Sequence, residues 1–247
     1  MSIWDQTWTW LTTASHWTGS DGVTGRVAQH LELTAEAVLL AAVVALPVGI
    51  ALGHFGRGGV LAVNIANVGR AIPTLAVLVL LVLALGLGNA PVIYALALFA
   101  APPMLTNSYL GMSGVDAEIK DAARGTGLSA WQSVRRIEVP LAIPLIAAGV
   151  RTATVQVVAT ATIAALVGSG GLGRFVVDGF QTNDYGQLVG GALLVGLLAV
   201  VVEIALGWLE GALTPGRRHL AGTSSPASID PSMTLPAGAS GQAQRSS

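Results

Sequence analysis

The sequence lacks cysteine and carries little charge. With no cysteine among 247 residues, disulfides, Cys-ligated metals and thiol catalysis are excluded. Charged residues make up 10% of the chain, whereas soluble domains carry about 25%. The formal net charge of −1 gives no reason to expect binding to nucleic acid. No two of the four histidines stand at ligand spacing, so we expect no metal site; they are His16, His30, His54 and His219.

Long apolar runs account for most of the chain. Hydrophobic residues make up 53% of it, and the mean hydropathy is +0.68. A helix needs about 20 apolar residues to cross the hydrocarbon of a bilayer. Five runs exceed that length: 31–53, 58–86, 90–111, 141–167 and 187–211.

These runs predict an all-α, multi-pass protein of the cell membrane. We expect five transmembrane helices, or six if the second run is split. That run is interrupted by four residues, Asn64, Asn67, Arg70 and Pro73.

Basic residues predict the orientation. With five spans, one side of the membrane holds Arg57, Lys120, Arg124, Arg135, Arg136, Arg217 and Arg218. The other side holds only Arg26 and Arg174. Because Lys and Arg concentrate on the cytoplasmic side, we expect the 112–140 loop and the C-terminus inside and the N-terminus outside.

The two ends differ from the transmembrane domain, 25–215. Residues 1–24 include Trp4, Trp8, Trp10 and Trp17, and predict either an amphipathic segment at the bilayer surface or a frayed end. Residues 216–247 are rich in Ala, Gly, Ser and Pro, which is typical of a disordered tail, here cytoplasmic.

The loop 112–140 is unusually patterned. Asp116 can start a short helix that runs to Arg124, and Gly125 and Gly127 can break it. Ser129 can cap a second helix, 130–138, which we expect to end before Pro140. The alternative is a solvated loop whose charges only set the topology.

The same loop resembles the EAA motif of ATP-binding-cassette importer permeases. Asp121-Ala122-Ala123 is followed after three residues by Gly127, and after nine more by Ile137-Glu138-Val139-Pro140. Asp121 and Val139 replace the family's Glu and Leu. The resemblance implies a type I importer fold of the MetI kind. It also implies a coupling helix that contacts an ATPase through Asp121, Ala122, Ala123 and Gly127, with Ile137 and Pro140 leading back into the membrane.

A narrower resemblance covers roughly residues 25–215. Two segments are similar to the sequences of osmoprotectant permeases, which import glycine betaine, choline or carnitine. The segments are GRAIPTLAVLVLL and DAARGTGLSAWQSVRRIEVPLAIPLIAAGVRTATVQVVATATIAALVGSGGLGRFVVDG. This resemblance implies three partners: an ATPase dimer that binds ATP and Mg²⁺, a second permease subunit (identical or homologous) and an extracellular substrate-binding protein. This chain would hold no cofactor and no catalytic residue.

Residues 168–173, GSGGLG, match the dinucleotide-binding spacing, but the segment follows an apolar run instead of a predicted strand. No G-x-x-x-x-G-K-[ST] loop occurs either, so we expect no nucleotide site. Gly168, Gly170, Gly171 and Gly173 indicate an outer gate or a plain flexible loop. Phe175 is a candidate contact for the binding protein, or an interfacial anchor.

Three ionisable residues, Arg70, Arg151 and Glu203, lie inside apolar runs, where charge is costly and marks candidate functional sites. Arg151 and Glu203 lie at similar depths from the cytoplasmic ends of their runs, so we expect them to face each other on the translocation path. Alternatively, each contacts backbone carbonyls or water.

The favoured function is therefore an osmoprotectant permease. Its alternatives are a permease for amino acids or another small solute and, more distantly, a channel or a membrane scaffold.

Overall fold

The computed structural model describes residues 2–69 and 71–213, and these are helical with short connections. The helices are α1 (Ile3–Thr12), α2 (Val23–Phe55), α3 (Gly59–Gly69), α4 (Thr74–Leu85), α5 (Asn89–Ser113), α6 (Ala117–Gly125), α7 (Ala130–Ser133), α8 (Val139–Thr160), α9 (Gly173–Thr182) and α10 (Tyr185–Leu213). The proposed tail, 216–247, lies outside the described residues.

Within the described residues, four helical segments are long and apolar enough to cross a membrane. They are Val23–Phe55, Asn89–Ser113, Ala130–Val167 and Tyr185–Ala212. Helices α3 and α4 pass the same test only as a pair, bent by 85° at the break between them. Counting the pair as one span gives the five that the sequence predicts, and the break falls where polar residues and Pro73 interrupt the second run.

Helices α2, α5 and α8 form the core. Small side chains line the contact, so the helix axes approach closely: Ala37, Ala41 and Ala45 of α2 are buried among Ala95 and Ala100 of α5 and Ala153 of α8. Close approach through small residues is the usual way in which membrane helices associate, since lipid gives no hydrophobic drive between them.

A second layer lies against the start of α2 and the end of α8. Helix α1 packs on α10, and α9 packs on α10 and on the 3₁₀ segment Ala161–Val167. Trp10 points inward from α1, whereas Trp4 and Trp8 on the same helix are largely exposed. The N-terminal segment is thus a folded helix with one buried face.

A substitution at Gly49 tests whether α2 and α5 approach each other this closely. A Cβ there would collide with Ser108 Oγ and lie 2.8 Å from Leu105 O, a backbone atom that cannot rotate away. We expect Gly49→Ala to lower the free energy of unfolding by about 1–3 kcal/mol, as overpacking does. Thermal unfolding in detergent measures the effect. Gly196→Ala, where a Cβ meets nothing within 4 Å, is the matched control; equal losses in both variants would contradict the packing.

Candidate functional site

The polar segment between α5 and α8 begins with the short helix α6. Asp116 caps it, because its Oδ1 accepts a hydrogen bond from Glu118 N at 2.9 Å. Gly127 then turns the chain with a φ of +81°, and its N–H donates to Arg124 O at 2.9 Å. The predicted helix and its glycine break are confirmed. Gly127 makes the turn, since Gly125 is still helical.

Helix α6 has a small polar face that is exposed to solvent. Asp121 and Ala122 are exposed, while Ala123 turns inward with 4% of its surface exposed. Arg124 lies 3.3 Å from Asp121 Oδ1, but both side chains are largely in solvent, where such a pair contributes little. The exposed face is therefore available for contact with another protein.

The second helix does not end before Pro140, and that expectation is wrong. Ser129 and Gln132 form the capping box that starts α7, as predicted for Ser129. The chain then passes through one π-helical turn, Val134–Glu138, directly into α8. The wider turn accommodates a proline that lacks an N–H, so Pro140 lies in the first turn of α8. Half-buried Ile137 belongs to the π turn.

Glu138, at the end of this π turn, is buried with 1% of its surface exposed. Its carboxylate accepts hydrogen bonds from His54 Nδ1 at 2.9 Å (Oε2) and from Ser133 Oγ at 2.9 Å (Oε1). A buried carboxylate needs such partners, because an unpaired charge in a protein interior is strongly destabilising. His54 lies at the end of α2, so Glu138 links α2 to the base of α8.

Lys120 extends the link to α6. Its Nζ lies 3.8 Å from Glu138 Oε2 and donates a hydrogen bond to Met112 O at 2.9 Å. We name His54, Lys120, Ser133 and Glu138 the coupling cluster. It joins the exposed helix to the ends of α2, α5 and α8.

The sequence reasoning missed the coupling cluster. Glu138 lies inside the motif, between Ile137 and Val139, and the sequence did not predict a role for it. An available signal was a single acidic residue between Ile137 and Val139 at the start of an apolar run. His54 gave none, because its partner is 84 residues away.

The glycine segment 168–173 is a tight turn. Gly168 and Gly171 have φ of +83° and +92°, which favour glycine. A Cβ at Gly170 would collide with the side chain of Gln29, and one at Gly173 would collide with Thr162 O. The close packing differs from the plain flexible loop that the sequence allowed, and a gating role for these glycines stays a prediction.

Helix α2 holds this turn through hydrogen bonds to its backbone. Gly171 N donates to Gln29 Oε1 at 3.1 Å, and Leu172 N donates to His30 Nδ1 at 3.3 Å. The other ring nitrogen of His30, Nε2, donates to Val158 O at 2.9 Å. This buried histidine thus connects α2, α8 and the turn.

Phe175 lies inside the second layer, contrary to the expected surface contact. It is 8% exposed, and its ring meets Trp10 edge to face at 5.1 Å between centroids. The apolar side of α9 is packed against α10, so the ring has no exposed face to offer.

The structure brings Arg151 and Glu203 together, as their depths predicted. Arg151 Nε lies 3.3 Å from Glu203 Oε1. Glu210, one heptad further along α10, was not predicted as a partner, and its Oε2 accepts a hydrogen bond from Arg151 Nη1 at 2.8 Å. A role for this group in translocation stays a prediction. Arg70 lies outside the described residues.

The coupling cluster predicts an unequal response to mutation. His54→Leu removes one donor to a buried carboxylate and should lower the free energy of unfolding by about 1–3 kcal/mol. The single variant Glu138→Leu removes the carboxylate itself. The double variant His54→Leu/Glu138→Leu should be more stable than His54→Leu alone, because no buried carboxylate is left without its donor. Thermal unfolding of the purified protein measures both, with the exposed Glu118→Leu as control. A double variant that loses the sum of the two single effects would contradict the assignment.

Comparisons with known proteins agree with this geometry. The family model "Binding-protein-dependent transport system inner membrane component" matches residues 45–219. The glycine betaine/carnitine/choline transport system permease protein OpuCB of Bacillus subtilis is 35% identical over 77% of this chain and 88% of its own length. The carnitine transport permease protein OpuCB of Listeria monocytogenes is 40% identical over 76% and 86%, respectively.

A third relative is similar in sequence, and a solved structure shows the fold. The osmoprotectant import permease protein OsmY of Salmonella typhimurium is 35% identical over 76% of this chain and 80% of its own length. An inward-facing structure of the MetNI methionine ABC transporter has a TM-score of 0.66 at 23% identity, and covers 78% of this chain and 96% of the matched chain. The chain therefore has the MetI-like fold and belongs to the family of inner-membrane components of binding-protein-dependent transport systems.

Proposed function

We propose that this chain is the permease subunit of an importer for a quaternary ammonium osmoprotectant of the glycine betaine, choline or carnitine type. One observation carries the proposal: an exposed helix, α6, is tied by a buried carboxylate to the membrane helices, in a chain whose relatives are permeases named for such solutes. This chain conducts the solute and couples its movement to ATP hydrolysis, which a partner subunit carries out.

The proposed assembly has three kinds of component. An ATPase dimer, which binds ATP and Mg²⁺, contacts α6 through Asp121, Ala122 and Ala123. Two permease subunits, identical or homologous, are needed because a two-fold ATPase requires two such helices. An extracellular binding protein delivers the solute. The N-terminus lies outside the cell and the C-terminus inside, as the distribution of Arg and Lys favours.

The coupling cluster supplies a route for the movement. When the ATPase dimer closes, it displaces α6, and Lys120 moves with that helix. Glu138 has contacts to α2 and α6 and lies at the base of α8, so displacement of α6 tilts these helices together. Alternating access follows from this tilt. A rigid link is required because helices that moved independently would absorb the displacement locally.

Uptake by the reconstituted transporter tests the substrate class. The chain is placed in proteoliposomes with its ATPase and binding protein, and ATP-driven uptake of labelled glycine betaine, choline and carnitine is compared with that of methionine. Uptake of at least one quaternary amine, with none of methionine, is expected. Methionine uptake alone would establish the amino-acid alternative, and uptake without ATP would indicate a channel.

Gly127 tests the coupling loop in the same assay. Its φ of +81° strains any β-branched residue, whereas Gly125 is helical and both positions leave space for a side chain. We expect Gly127→Val to reduce ATP-driven uptake about tenfold, since a left-handed residue costs about 1–2 kcal/mol. Gly125→Val, the matched control, should retain most of the uptake. Equal uptake by the two variants, at equal amounts of protein in the membrane, would contradict a role for the turn.

A further inference from the structure

A polar cavity of about 270 Å³ opens at the outer end of α2. Its lining residues are Arg26, Gln29, Glu32, Leu33, Asn89 and Gly170. Its lining thus presents a guanidinium, a carboxylate and two amides, and no aromatic ring among the residues that the structure describes. Its volume lies just below the range typical of sites for drug-sized ligands, which suits a solute of a few heavy atoms.

Arg26 supplies the positive end of the cavity. Its Nη2 lies 2.8 Å from Asp21 Oδ1, and its Nη1 donates to Gln29 Oε1 at 2.9 Å. Its Nε is buried and has no hydrogen-bond partner in the described part of the chain. Asp21 is 83% exposed, so this ion pair is a weak one that another carboxylate can replace.

Glu32 supplies the negative end. It lies six residues beyond Arg26 on the same helix, roughly 9 Å along the axis. Both residues line the cavity of about 270 Å³, which has room for one small zwitterion. Glu32 is exposed, and it stands in a helix apolar enough to span the membrane, where a charged residue usually lines a pathway for solutes or ions.

The glycine turn holds the wall of the cavity in place. Gln29 Oε1 accepts hydrogen bonds from both Arg26 Nη1 and Gly171 N, so it fixes the guanidinium relative to the turn. Ser169 Oγ donates to Asn89 Oδ1 at 2.8 Å, which positions the second amide. A side chain at Gly170 would collide with Gln29. The site is therefore organised before a ligand arrives.

We propose that this cavity is a transit site for a small zwitterion, whose carboxylate contacts Arg26 while its quaternary ammonium group faces Glu32. The proposal rests on the proposed function and refines its substrate class. Tight sites for quaternary ammonium use aromatic cages, and within residues 2–69 and 71–213 no aromatic ring lines this cavity. Weak binding is what transit requires, because a solute held tightly would not leave.

Two substitutions test the charges separately, in proteoliposomes holding the whole transporter. Arg26→Met should lower uptake of glycine betaine and carnitine by about fivefold relative to uptake of choline, because choline has no carboxylate. A fivefold change corresponds to the loss of one partly exposed ion pair. Arg26→Lys should restore the ratio. Glu32→Gln should lower uptake of all three solutes by about fivefold, since each carries the ammonium group.

Controls separate the possible failures. Arg174 and Asp178 form a similar ion pair, 2.9 Å apart, on α9 and outside the cavity. Arg174→Met and Asp178→Asn should leave all uptake ratios unchanged, and the ATPase activity of each variant complex reports intact assembly. Absence of quaternary amine uptake by the wild type would overturn the proposed function. Wild-type uptake with unchanged ratios in Arg26→Met and unchanged rates in Glu32→Gln would overturn the transit site alone.

Discussion

The buried carboxylate of Glu138 is the constraint on which the α6 end of this structure depends. Removing such a group from water costs several kcal/mol unless hydrogen bonds and opposite charge offset the loss. His54, Ser133 and Lys120 supply that compensation from the end of α2, the start of the π turn and the exposed helix α6. These elements must therefore stay together, because separating any one of them weakens the compensation of a buried charge.

The opposite end, where α2 meets the glycine turn, has a comparable constraint built from a histidine and backbone groups. His30 is fully buried and joins three elements by hydrogen bonds, and the glycines of the neighbouring turn let the backbone approach it. Between the two ends, alanine and glycine contacts hold α2, α5 and α8 close together. With both ends tied and the middle closely packed, these helices are suited to move as one body. Under the proposed function, such a body would transmit a displacement of α6 to the other end of the helices.

Much of this could be read from the sequence because the signals are local. Apolar length predicted the spans, interrupting polar residues predicted the break before Thr74, and the Asp116 cap and Gly127 turn predicted α6. The similar depths of Arg151 and Glu203 in their apolar runs were enough to predict that the two side chains meet. Each of these inferences needs only a short window or a simple count of residues.

The remaining features depend on distant parts of the chain. The partners of Glu138 come from positions up to 84 residues away, and no local pattern specifies them. The helix continues past Pro140 because a π turn accommodates the proline, which local preference alone argues against. Phe175 is buried because Trp10 of α1 folds over it, although its own segment reads as an exposed loop. Packing between distant elements decided all three.

Photo-cross-linking from α6 tests the central claim most directly, because the chain has no native cysteine. A single Ala122→Cys variant carries a benzophenone on the exposed face of α6, and Trp8→Cys carries it on the exposed face of α1. In the complete transporter, the ATPase should be captured from position 122 and not from position 8, with a yield that changes when ATP is added. Capture from position 8 alone, or none from position 122 in an intact complex, would contradict the account.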